Sequence, residues 1–156
     1  LAEGLEKIQS KGLPHLNFHG GNILFEYEDE DEDEVIAKID ANFHGKIYPS
    51  NNITGVLPFM DPQVLLGNKP LAKASNSYSL GIVMWALATS SRPHYNRAHD
   101  SQLAYEICCK NLRPEVNEEL KLEMPKKYYD LMTWCWSSQQ ESRPTASQLR
   151  EILEEW

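Results

Sequence analysis

This sequence predicts a mainly α-helical domain carrying one small β-hairpin, and three observations predict it. Apolar residues recur at helical spacing over most of the chain. Only residues 22–27 and 35–39 form short, β-leaning apolar runs, separated by a charged stretch. Gly and Pro punctuate the segments between the periodic stretches, and no internal repeat is present. At 156 residues the chain fits one domain, long enough to bury roughly 68–70% of the surface it exposes unfolded.

Taken in order, Leu1, Leu5 and Ile8 share a helical face, with Gly12 as a stop signal and Pro14 beyond it. This predicts the last turns of a helix. Residues 13–24 form a polar loop holding His15, Asn17, His19, Asn22 and a Gly-Gly pair. Loops of this kind are held by a scaffold while their side chains bind or react. The hairpin follows, and its tip over residues 26–34 carries Glu26 and an unbroken acidic run at 28–34. The tip reads as a solvated loop kept open by self-repulsion, since it lacks the Gly and the ligand spacing of a calcium loop.

Residues 44–68 are rich in Gly, Pro, Ser and Asn and predict an extended loop. Residues 75–91 predict a helix apolar nearly all round, with Tyr78, Ile82, Trp85 and Ala86 on one side and Leu80, Val83, Met84 and Leu87 on the rest. Such a helix is a buried one, the hydrophobic spine of the domain. Asp100 or Ser101 caps a further helix through Leu103, Ile107 and Cys108, ended by a turn at 111–114. Pro125 opens another, carrying Tyr129, Leu131, Met132, Trp134 and Trp136. Thr145-Ala146-Ser147-Gln148 is a capping box after Pro144, and it starts a closing helix with Leu149, Ile152, Leu153 and Trp156.

The formal net charge of -8 is local. Glu26 and the run at 28–34 account for it, and the remaining 15 acids and 15 bases cancel. No basic face for nucleic acid is predicted. No apolar stretch approaches the ~20 residues of a membrane span; the longest, residues 80–88, is too short. The first residues show neither a basic leader nor an apolar signal segment, and they begin inside a helical pattern without Met, as in a piece of a longer chain. Cys108, Cys109 and Cys135 make no metal spacing and no even disulfide framework, which predicts a reducing, intracellular setting, the cytoplasm. Asn52-Ile53-Thr54 matches a glycosylation acceptor but lacks a secretory context.

The spacing of His15, Asn17 and Asn22 resembles the catalytic loop of protein kinases, His-Arg-Asp followed by four residues and Asn. Three more segments resemble the same family in the correct order. Residues 55–65, Gly-Val-Leu-Pro-Phe-Met-Asp-Pro-Gln-Val-Leu, are similar to the stretch leading into its Ala-Pro-Glu motif. Residues 74–85 resemble its central buried helix, and Ser142-Arg143-Pro144-Thr145 its final Arg-Pro turn. The chain is thereby identified as a member of the protein kinase family, similar to the tyrosine-kinase-like branch. Residues 1–156 correspond to the C-terminal, helical lobe, with the small N-terminal lobe absent. The Gly-rich loop and the strand Lys with its partner Glu belong to that lobe, so no complete nucleotide cleft is expected.

The departures from the family bear on chemistry. The catalytic-loop Asp accepts the substrate hydroxyl's proton in the family, and Asn17 stands in its place with a neutral amide. The family's metal-binding Asp-Phe-Gly falls, without a gap, on Ala41-Asn42-Phe43, where no residue holds Mg²⁺. A one-residue shift instead uses Asp40 and preserves a carboxylate. Asn22 stands at the family's Mg²⁺ ligand position, but with Ala41 at the partner site its plainer reading is a loop-structuring role. Gln63 replaces the Glu that pairs with an arginine, here Arg143, so Gln63→Glu is expected to restore an ion pair and stabilise the fold by ~1 kcal/mol. Asn76 replaces the central-helix Asp that accepts bonds from the catalytic-loop backbone, and its amide oxygen can do part of that.

The remaining singled-out residues have plain readings. His15 is a buried loop anchor and His19 a structural loop histidine. Cys108 and Cys109 are two helical cysteines, one buried and one partly exposed. Trp85, Trp134 and Trp136 are core, for want of a basic groove. Tyr48, Ser50 and Thr54 are candidate phosphorylation sites, but Leu16 stands where the family's Arg would receive the phosphate charge. The resemblance with these losses implies a pseudokinase: a binding or regulatory module with protein partners and no expected cofactor, where active members use ATP and Mg²⁺. The alternative it leaves open is the C-terminal lobe of an active ATP-dependent kinase phosphorylating Ser/Thr or Tyr of proteins.

Overall fold

The computed structural model describes residues 1–10, 15, 17–27, 35–40, 55–70 and 72–156. The elements run α1 (Ala2–Ser10), β1 (Ile23–Tyr27), β2 (Val35–Ile39), α2 (Pro62–Leu65), α3 (Lys73–Thr89), α4 (Ser101–Cys109), α5 (Glu118–Glu123), α6 (Lys126–Cys135) and α7 (Ala146–Glu154). Single 3₁₀ turns lie at Gly20–Asn22, Leu57–Phe59 and Gln140–Ser142. The mainly helical architecture with one hairpin is as expected.

The hairpin is antiparallel, with Ile23 opposite Ile39 and Tyr27 opposite Val35. Two strands alone are marginal in water. This pair is held at its inner end, where Ile23 is buried and Ile39 packs on the core. Its outer part is open: Leu24 and Phe25 are 50% and 56% exposed, and Lys38 pairs with Glu26 at the surface. The acidic run at 28–34 lies outside the described residues.

Helix α3 is the spine, buried continuously from Ser75 to Trp85. Its first half is not apolar, however. Ser75, Asn76, Ser77 and Ser79 are buried polar residues, and each finds a partner in another segment. Ser77 Oγ donates to the Pro144 carbonyl (2.7 Å) and Ser79 Oγ to that of Phe59 (2.7 Å). A hydroxyl so bonded escapes the cost of unpaired burial. The helix therefore works as a polar anchor in its first half and an apolar one in its second.

Gly81 explains how α3 meets α6. A Cβ built there would lie 2.8 Å from Cys135 Cβ and 2.9 Å from the Met132 carbonyl oxygen. Mid-helix Gly costs ~1 kcal/mol against Ala, and here it lets two backbones approach. On the other flank α1 packs against α7, where Glu6 forms an ion pair with Arg150 (Oε2 to Nε, 2.8 Å) and accepts from Ser147 Oγ (3.0 Å).

Several expectations need correction. The segment expected as an extended loop over residues 44–68 contains a 3₁₀ turn and α2, because Asp61 caps a helix that Pro62 can start. Helix α5 was not expected; Asn117 accepts from the Leu120 N–H (2.8 Å), with Glu118 and Glu119 in its first turn. Trp85 and Trp136 are core, but Trp134 is 37% exposed, its Nε1 donating to the Ser142 carbonyl (2.6 Å). Trp156 lies past the end of α7, half-exposed beside Tyr128. The Thr145–Gln148 capping box stands as expected. All three cysteines are free thiols: Cys135 is buried, Cys108 partly so and Cys109 exposed.

Candidate functional site

The polar loop is held from beneath by α3. Asn76, 1% exposed, meets the backbone of His15 at both ends of its amide. Oriented by these partners, its nitrogen donates to the His15 carbonyl (2.8 Å) and its oxygen accepts the His15 N–H (2.9 Å). Residue 76 thus ties the His15 backbone to α3, and an amide suits it because one partner is an acceptor and the other a donor.

His15 is buried and bridges two segments. Its Nδ1 accepts the Asn17 N–H (3.4 Å), so Nε2 carries the proton and donates to the Asp40 carbonyl (3.0 Å). Its ring meets Phe18 edge-on at 5.7 Å. Both nitrogens are thus committed, as an anchor requires. His19 caps the turn at Gly20–Asn22, Nδ1 accepting the Gly21 N–H (3.0 Å), and packs 6.1 Å from the Phe59 ring. Burial, and then the nearby His15, lower its pKa, so it stays neutral near pH 7.

Asn22 Nδ2 donates to the Asn17 carbonyl (2.7 Å), which closes the loop on itself and leaves the amide oxygen as its remaining ligand atom. The Asp40 N–H donates to the Asn22 carbonyl (2.9 Å), which places Asp40 directly opposite Asn22 across the hairpin. The structure therefore brings His15, Asn17, Asn22 and Asp40 together. Two residues that ligate one ion must be neighbours, and among the described residues Asp40 is a neighbour of Asn22. The expected frame with Ala41, Asn42 and Phe43 lies outside the described residues, as do Leu16, Tyr48, Ser50 and Thr54.

A Mg²⁺ ion is held by one or two carboxylates together with substrate phosphates and waters. Asp40 brings a carboxylate and Asn22 an amide oxygen, donor types that such an ion takes, on residues opposite each other across the hairpin. Bound there, it would neutralise phosphate charge. Among the described residues, no group of three or more His, Cys, Asp and Glu gathers as a metal cluster.

The second half of the site is a buried ion pair. Arg143 clamps Asp61 with two bonds, Nη1 to Oδ2 (2.6 Å) and Nη2 to Oδ1 (3.0 Å), with both side chains fully sealed. Asp61 also accepts from the Gln63 N–H (2.9 Å), Ser75 Oγ (2.9 Å) and Gln140 Nε2 (2.6 Å). Burial alone would raise its pKa, but the Arg143 guanidinium and these donors outweigh it and hold the carboxyl below its usual range. Arg143 and Arg113 each lie 5.1 Å from the ring of buried Tyr78, whose hydroxyl burial pushes up to about 12.

This corrects the expected pairing of Gln63 with Arg143. Gln63 Nε2 donates instead to the Ser138 carbonyl (3.2 Å) and Gln139 Oε1 (2.9 Å). The carboxylate that Arg143 needs stands two residues earlier, at Asp61. Sequence reasoning missed Asp61, Ser75 and Gln140. The one available signal was Asp before Pro, a helix start, which announced a cap and not an ion pair.

A buried helix that anchors a His/Asn loop at one end and an Arg–Asp clamp beside it defines the helical lobe of a kinase fold. The family profile of the protein kinase domain matches residues 1–153, and the chain belongs to that family. It is 28% identical over 161 residues to the Cyclic GMP-binding protein C of Dictyostelium discoideum, covering 98% of this chain and 6% of that protein. It is 26% identical to the serine/threonine/tyrosine-protein kinase HT1 of Arabidopsis thaliana, covering 100% of this chain and 38% of that one. It is 28% identical to the human receptor-interacting serine/threonine-protein kinase 1, covering 99% and 26%. The chain spans less than half the length of each of these relatives.

Proposed function

We propose that this chain is the large lobe of a pseudokinase, of the tyrosine-kinase-like kind, that acts by binding protein partners inside the cell and not by transferring phosphate. The observation that carries this reading is Asn17. Its backbone sits in a closed loop, bonded to His15 and Asn22, while its side chain is a neutral amide that cannot take up a hydroxyl proton. The loop's shape survives without its base. Free cysteines suit a reducing compartment. No helix among the described residues is long and apolar enough to cross a membrane.

A second reading is favoured by one feature, Asp40 opposite Asn22. These two residues support retained Mg²⁺-nucleotide binding, as in an active kinase. Two measurements separate the readings. Phosphate transfer from ATP to a generic protein substrate is expected to be absent with and without Mg²⁺, and Mg²⁺-dependent labelling overturns the pseudokinase reading. A rise in unfolding midpoint with ATP that requires Mg²⁺ would reveal a nucleotide-binding pseudokinase, since a ligand of the folded state stabilises it. Loss of that rise in Asp40→Asn would assign it to this pair.

A further inference from the structure

The segment between α3 and α4 is wound into two overlapping turns. The Tyr95 N–H donates to the Arg92 carbonyl (3.1 Å), and the Arg97 N–H donates to that of His94 (3.2 Å). Pro93 and then His94, at φ 55, fill the inner positions of the first turn. A positive φ at the third residue of such a turn is ordinarily met by Gly or Asn, because a Cβ is strained there. Strain of this kind is kept at binding sites, where the side chain is needed. The His94 side chain is also uncommitted. It is half-buried, yet among the described residues neither ring nitrogen has a hydrogen-bond partner.

The charge around this turn has a positive surplus. Residues 91–113 hold Arg92, Arg97, Lys110 and Arg113 against Asp100 and Glu106. Both acids are engaged at α4. Asp100 caps the helix, accepting the Gln102 and Leu103 N–H groups (3.1 Å each). Glu106 takes Arg97 Nη1 (2.5 Å), Gln102 Nε2 (2.7 Å) and the Lys110 ammonium (3.9 Å). Arg113 has no carboxylate among the described residues: its donors go to the carbonyls of Ile107, Leu112 and Trp136, and Nη2 is sealed without an acceptor. Arg92 is exposed and, among the described residues, unpaired. Burial, and then His99, Arg97 and Arg113 set against Glu106 alone, lower the His94 pKa to about 4.

We propose that the turn from Arg92 to Arg97 binds a phosphate monoester carried by a phosphorylated side chain of a partner protein. The Arg92 guanidinium and a His94 ring N–H donate to its oxygens, a charge-assisted pairing that suits phosphate. Tyr95, 73% exposed, offers its ring to the flanking residues of the partner. The turn is open, with Asn96 and Ala98 exposed as well, so it suits a phosphate presented on a polypeptide. The groups that face His94 come from the turn itself, from α4 and from Arg113 after it, whereas α1, where the sequence begins, packs on α7 and β2. The inference rests on the binding-module reading and names the partner's chemistry; the labelling assay decides that reading, and the measurements below decide this one.

The test is a titration of the purified chain with a Gly-Ser peptide bearing one phosphoserine, beside its unphosphorylated form and inorganic phosphate at matched ionic strength. The phosphopeptide is expected to bind and the unphosphorylated form not to. Binding should be about tenfold weaker to Arg92→Gln and to His94→Asn, which tolerates the left-handed backbone. Cooperative unfolding checks that both variants fold. The His94 ring resonance gives a second readout. A bound phosphate favours the imidazolium, so the midpoint of its titration should rise from about 4 toward 6.5 with the phosphopeptide. Undiminished binding to both variants, no binding, or an unmoved His94 midpoint overturns the proposal. Inorganic phosphate that binds as tightly as the phosphopeptide overturns the partner and leaves an ion site. A chain that binds the phosphopeptide and also labels a protein substrate keeps this inference and loses the pseudokinase reading.

Discussion

Asp61 and Arg143 form a doubly bonded ion pair with neither side chain reached by solvent, joining the segment before α2 to the turn before α7. A buried pair is most costly when one half is removed, since the other charge stays behind unpaired. Asp61→Asn is expected to lower stability by about 3–5 kcal/mol, measured by urea unfolding. A loss below 1 kcal/mol would count against a sealed pair.

Gln63→Glu tests the same junction from the other side. Arg143 already has its carboxylate, and Gln63 uses its amide as a donor to Ser138 and Gln139. A glutamate cannot donate there. The variant is expected to unfold earlier, by about 1 kcal/mol, and a raised midpoint would show that Arg143 can serve two acids.

Asn76→Asp replaces an amide that both donates to and accepts from His15. A carboxylate keeps the N–H bond but faces the His15 carbonyl with a second acceptor. A loss of about 1–3 kcal/mol is expected. Asn76→Ala, which loses both bonds, should raise hydrogen exchange at the His15 amide above that of Asn76→Asp, and equal rates would mean that the loop is held elsewhere.

Gly81→Ala sets helix propensity against packing. Propensity favours Ala, yet its Cβ meets Cys135 and the Met132 carbonyl below 3 Å. We expect a net loss of about 1–3 kcal/mol, and a stabilised variant would mean that α3 and α6 can part without cost.

Acid should act in two windows. His94 is half-buried at φ 55, and burial, with His99, Arg97 and Arg113 nearby, lowers its pKa from 6.5 to about 4. The unfolded chain then binds more protons between those values, so stability falls as pH drops from 6.5 to about 4. Asp61 is also lowered, so its contribution is present above the ordinary carboxyl range near ~4 and is lost as pH falls through its folded value. His94→Asn, which tolerates the left-handed backbone, should flatten only the upper window. Unfolding free energy measured against pH checks this, and an unaltered upper slope would sink the assignment.

The longer helices, the hairpin and the cap at Thr145 were legible because each is written in local periodicity or in residues a few positions apart. The loop residues His15, Asn17 and Asn22 were legible from spacing. Helix α2 was missed because a single turn has no periodicity to read, and α5 because its six residues carry little more.

By itself the sequence determined that the chain is mainly helical, that its acidity is local, and that the polar loop carries a neutral amide at Asn17. Those are properties of residue identity and short spacing. Only the tertiary structure decided which acid Arg143 binds and that Asp40 stands opposite Asn22. Asp61 and Arg143 are 82 residues apart. Nothing in local spacing distinguishes Asp61 from Gln63 as the partner; chain folding delivers one carboxylate to the sealed position and turns the other side chain toward Ser138.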